Sequence, residues 1–83
     1  MASETGPREV THRLDVLGFH CPVPVAKTRE TLETLGAGSV LEVLADDPET
    51  LHDMPLLLAR TAHQLLDIRE VDGEFAFIIE VIG

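Results

Sequence analysis

Polar and apolar residues alternate from Val10 onward. His12, Leu14 and Val16 fall on one side of an extended chain, and Thr11, Arg13 and Asp15 on the other. That period of two predicts a half-buried strand, which Gly18 ends. The period then changes. Val25, Thr28, Leu32 and Leu35 recur at helical spacing, with Lys27, Arg29, Glu30 and Glu33 turned away. A helix is predicted from about Pro22 to Leu35, stopped by Gly36 and Gly38. "VLEVLA", residues 40–45, is an apolar, β-branched run of the kind that forms an interior strand. Asp47, Pro48 and Glu49 have the order of an N-cap, a first helical position and a first-turn acid. Pro55 lacks an N–H and crowds the preceding turn. The second helix is therefore expected to kink, restart under an Asp53 cap and run to about Ala62. Leu65 to Val71 and Glu74 to Ile82 flank Asp72-Gly73, the dipeptide favoured in a two-residue type I′ hairpin turn. The last strand is apolar on both sides and belongs inside the sheet.

The order is thus βαβαββ. A strand–helix–strand crossover is right-handed, so the expected fold is α/β (α+β). It is a two-layer sandwich, a four-stranded mixed sheet with two helices on one face. Two helices cannot cover both faces, so some apolar side chains are expected on the back of the sheet. Residues 1–9 are polar and contain Gly6 and Pro7, and they read as a flexible tail. Residues 10–83 read as a single domain, since 83 residues leave no room for a second core.

Charge narrows the functional classes. Six Lys and Arg stand against fifteen Asp and Glu, which argues against direct binding to a phosphate backbone. The excess is uneven. Residues 46–83 hold nine acids and two bases, whereas residues 1–45 hold six and four. The acidic half is suited to solubility and to steering basic protein partners. No apolar run approaches the ~18 residues of a membrane span, and "MASETGPREV" lacks the regions of a signal peptide. A cytoplasmic protein is expected, in a compartment where its one cysteine stays reduced. A monomer is expected.

That cysteine, Cys21, is the candidate catalytic residue. Unpaired N–H groups and the helix dipole converge at a helix start and can lower a thiol's pKa below ~8.5. Pro22 suits the first helical position, and both Pro22 and Pro24 stiffen the turn at positions a helix start tolerates. The N–H of Val23 or Val25 could face the sulfur, and His20 and Lys27 could add positive potential. The competing reading is a small buried hydrophobe. No second cysteine is available to resolve a disulfide. Nothing in the sequence brings His63 to Cys21 as a base. His12, His20, His52 and His63 match no metal-ligand spacing, and there is no glycine-rich phosphate cradle. No metal or cofactor is expected. What remains is a thiol that accepts a group and passes it on. The alternatives are a non-catalytic regulatory interaction module and a thiol redox sensor.

The chain resembles the TusA-like (SirA-like) sulfur carriers from about Leu14 to Val81. Cys21-Pro22-Val23-Pro24 matches that family's Cys-Pro-x-Pro, preceded by Leu14-Asp15 and Gly18. Ala45 to Pro48 ("ADDP"), Asp53-Met54-Pro55 and His63 to Leu66 ("HQLL") match further on. Ala62, where glycine is frequent, and "LLLAR" at residues 56–60 depart from the pattern. The resemblance implies the same sandwich and a sulfane sulfur carried by Cys21 as a persulfide. It implies a rhodanese-like protein or cysteine desulfurase as donor and a DsrE-like protein as acceptor. The role is a carrier in a sulfurtransferase relay, serving oxidative sulfur metabolism, tRNA thiolation or molybdenum-cofactor synthesis, rather than a stand-alone enzyme.

Overall fold

The computed structural model describes residues 9–20 and 22–82. The tail expected over residues 1–9 lies almost wholly outside them. The elements are β1 (His12–Asp15), α1 (Val23–Thr34), β2 (Val40–Ala45), α2 (Thr50–Ala59), β3 (Gln64–Val71) and β4 (Glu74–Glu80). They form one four-stranded sheet in the order β1-β2-β4-β3. β1 runs parallel to β2, and β4 is antiparallel to both of its neighbours. This is the expected mixed sheet, with β4 in its interior.

Register decides which residues meet the helices. Leu41, Val43 and Ala45 of β2 lie opposite Ile79, Phe77 and Phe75 of β4. All six are buried, together with Val16, Leu32, Met54, Leu58 and Val81. Residues paired across strands share a face, so the intervening positions form the back of the sheet. There Arg13 donates to Glu42 at 2.6 Å and Arg69 to Asp67 at 2.9 Å. These charges surround Ile78, which is only 2% exposed. The back face is therefore less apolar than its helix count suggests. The exposed apolar side chains of the sheet concentrate on β3, where Val71 is 68% and Leu66 and Ile68 are 38% exposed.

The hairpin turn is as expected. Asp72 and Gly73 have φ of 54° and 82°, and two positive values are what a type I′ turn requires. A β-bulge between Leu65 and Asp67 shifts the register farther along. In α1 the buried positions are Pro24, Thr28 and Leu32, so the stripe begins one residue earlier than Val25. Thr28 satisfies its hydroxyl by donating to the Pro24 carbonyl at 2.8 Å.

The second helix departs from expectation. It is continuous from Thr50 to Ala59, with Pro55 inside it. Asp53 is not a cap, since its N–H donates to the Glu49 carbonyl at 2.9 Å as an ordinary helical bond. Asp47 acts one turn ahead of the helix. Its carboxylate accepts the Glu49 N–H at 3.1 Å, and its carbonyl accepts the Thr50 N–H at 2.9 Å. An internal proline costs ~3 kcal/mol. Met54 and Leu58 are buried one turn apart, and Leu57 packs against the same cluster. Each such side chain contributes about 1.5–3 kcal/mol, which together outweighs the break.

Three substitutions test this packing. Phe77→Ala should lower unfolding free energy by about 3–5 kcal/mol in a urea titration, while Val71→Ala at the exposed end of β3 should change it by less than ~0.5 kcal/mol. Pro55→Ala restores a helical N–H and should stabilise the protein by about 2 kcal/mol, the helix penalty less the gain in unfolded-chain entropy. A loss of stability would show that packing of the Pro55 ring outweighs the missing bond.

Candidate functional site

The candidate site is the turn joining β1 to α1. It begins where β1 ends. Asp15 Oδ1 accepts the Leu17 N–H at 2.9 Å, and the Val16 carbonyl accepts the Phe19 N–H at 3.2 Å. Val16 itself is fully buried and anchors the turn to the core. Gly18 follows with φ of +85°, a conformation that a Cβ would strain. Its N–H points at the carboxylate of Asp46, 3.1 Å from each oxygen. Asp46 directly follows β2, so the end of one strand grips the turn that leaves its parallel neighbour.

Cys21, the residue expected to carry the chemistry, lies outside the described residues, but both of its neighbours are within them. His20 is exposed, and its Nδ1 lies 3.8 Å from Asp47 Oδ2, an ion pair only when the imidazole is protonated. Its carbonyl accepts the Val23 N–H at 2.9 Å. The Val23 amide is thereby engaged within the turn. Pro22 is exposed and flanks the amino end of α1, and its carbonyl accepts the Ala26 N–H at 2.9 Å. Pro24 is fully buried, so the two prolines differ in role. Pro22 shapes the turn, whereas Pro24 anchors it to the core. Lys27 reaches back over the Phe19 ring, 5.7 Å from its centroid. Its charge therefore sits beside the turn, with the Phe19 ring 45% exposed next to it.

His63 and His12 do not converge on this turn. His63 is half-buried at the start of β3, and its Nδ1 accepts the Ile82 N–H at 3.0 Å. It ties the end of the chain to β3 and is neither base nor ligand at the turn. His12 meets Thr11 at 2.8 Å on the edge strand. Among the described residues no group of three His, Cys, Asp or Glu side chains could hold a metal ion, and no helix is long and apolar enough to cross a membrane. Sequence reasoning missed Asp46 as the clamp on Gly18. The signal available was "ADDP", in which two adjacent carboxylates follow a strand and only the second has the spacing of a cap.

This βαβαββ sandwich has the fold of a SirA-like protein. A solved SirA-like protein of Desulfitobacterium hafniense superposes with a TM-score of 0.77 at 28% identity, covering 88% of this chain and all of that one. The model of the family described as Sulfurtransferase TusA matches residues 12–81, and the chain belongs to that family. Among curated relatives, the sulfur carrier protein TusA of Allochromatium vinosum is 34% identical over 81% of this chain and 88% of its own length. A putative sulfur carrier protein of Archaeoglobus fulgidus is 31% identical over 84% and 92%.

Three substitutions separate clamp from anchor. Asp46→Ala should cost about 1 kcal/mol and speed hydrogen exchange at the Gly18 amide more than at the amides of β4, which follow only the global loss. Pro24→Ala should cost about 1–2 kcal/mol through the cavity it opens, and Pro22→Ala, being exposed, should cost less. Equal effects of the two proline changes in thermal unfolding would contradict the division of roles.

Proposed function

We propose that this protein is a sulfur carrier in which Cys21 holds sulfane sulfur as a persulfide. The observation that carries the proposal is the membership of the TusA family together with a single cysteine, set in the sequence between His20 and the Pro22 that flanks α1. The curated relatives named as sulfur carriers support it.

The chemistry needs one thiolate and no cofactor. The Cys21 thiolate attacks the terminal sulfur of a donor protein's persulfide. A new S–S bond forms, the donor's S–S bond breaks, and the donor cysteine leaves as a thiolate. An acceptor thiolate then attacks the terminal sulfur on Cys21, which leaves as a thiolate in turn. No net oxidation occurs in either step. A second cysteine in reach would discharge the persulfide as an internal disulfide, and this chain has none. The amino end of α1 favours the anionic sulfur, and Lys27 beside Phe19 adds positive charge to the same turn. The donor is a rhodanese-like protein or a cysteine desulfurase, the acceptor a DsrE-like protein. The relay serves oxidative sulfur metabolism or tRNA thiolation in the cytoplasm, with the choice made by the partners.

Incubation with a cysteine desulfurase and cysteine should add one sulfur atom to the intact protein, released by a reductant and located on Cys21 by peptide mass spectrometry. Cys21→Ser should gain none. An unchanged mass in the wild type with either a desulfurase or a rhodanese-like donor, or an equal gain in the variant, would overturn the proposal.

A further inference from the structure

β3 is an edge strand of eight residues, and all of them except Leu65 are exposed. Its charges and its hydrogen-bonding phase together define a partner. The two-residue turn makes Val71 and Glu74 a pair that exchanges both backbone bonds. By alternation, Asp67 and Arg69 also direct their N–H and C=O groups toward β4. Ile68 and Glu70 direct theirs outward, away from the sheet.

We propose that two copies of this chain pair edge to edge along β3, antiparallel, on a two-fold axis through Ile68. In that register Ile68 meets Ile68 of the second copy as a hydrogen-bonded pair. Asp67 then lies opposite Arg69 of the second copy, and Arg69 opposite its Asp67. These are non-hydrogen-bonded positions, where Cα atoms approach to ≈ 4.5 Å and side chains are closest. Within each copy Arg69 already donates to Asp67 at 2.9 Å. Pairing therefore joins two ion pairs into a two-by-two cluster of alternating charges on the back of an eight-stranded sheet. Centres on the charged residues fail on charge, and one on Leu66 falls at the bulge. An axis through Asp67, Arg69 or Glu70 sets that residue against its own copy, and like charges directly opposite are destabilising.

On the other face, the exposed Ile68 side chains of the two copies cover each other. The bulge at Leu66 ends the ladder, leaving residues 66–70 of each copy to pair. So short a ladder makes a weak, concentration-dependent dimer. Bulges and edge charges normally keep strands from indiscriminate pairing. Here the same charges admit one register of one partner, an isologous contact. The turn at residues 17–20 leaves β1, the opposite edge of the sheet, so the dimer leaves both candidate sulfur sites open.

Sedimentation velocity at about 0.15 M salt, which screens the net charge of −9 on each copy, from micromolar to millimolar protein, tests this. The weight-average mass should rise toward twice that of the chain. Arg69→Asp and Asp67→Arg should each stay monomeric, and the double variant Asp67→Arg/Arg69→Asp should dimerise again. Both side chains are about half exposed, so the single variants should fold, which circular dichroism checks. Hydrogen exchange gives a second readout on the wild type alone: the Ile68 and Glu70 amides should slow as concentration rises. A wild type that stays monomeric throughout overturns the proposal and leaves β3 a solvated edge. So does a single variant that dimerises like the wild type, or a folded double variant that does not.

Discussion

Leu41, Val43 and Ala45 of β2 against Ile79, Phe77 and Phe75 of β4 form the contact on which the remaining geometry depends. Six buried side chains meet there in one register, and a slip of one residue would turn all of them to the other face. That register positions β1 and β3 at the edges and sets the floor on which Leu32, Met54 and Leu58 rest. It also determines where β2 ends. Because Ala45 pairs with Phe75, Asp46 emerges at the rim of the sheet beside the turn that follows β1, where it reaches the Gly18 amide.

The candidate site is thus held from two directions. Asp46 grips the turn from the sheet side, and Pro24 pins the beginning of α1 into the core. Between them lie His20 and Pro22, both exposed. The described backbone on either side of residue 21 is held by contacts within the domain, so an encounter at this turn need spend little binding energy on ordering it.

The fold was largely legible in the sequence because its signals are local. Alternation before Gly18, the apolar run at residues 40–45 and Asp72-Gly73 each specify one element without reference to the rest. Pro55 was misread because local propensity forbids what tertiary packing enforces: Met54 and Leu58 are buried only if the helix continues. The prolines at 22 and 24 look equivalent as letters, yet one is exposed and the other sealed in the core, a difference that arises only when α1 lies on the sheet. Asp46 was missed for a similar reason. Its partner is 28 residues away, and no pattern along the chain links a carboxylate after one strand to a glycine amide after another. Cys21 stands out in the sequence by its uniqueness and its proline-bounded setting, and it lies outside the described residues.

The charge imbalance that divides the sequence into halves does not divide the molecule. The hairpin tip at Asp72 and Glu74 stands at the same end of the sheet as Asp46 and Asp47, since Glu70 and Ala45 both pair with Phe75. Asp15, at the end of β1, belongs to that rim as well. Small anions approach this end against a field of their own sign, whereas a cationic protein surface is drawn to it.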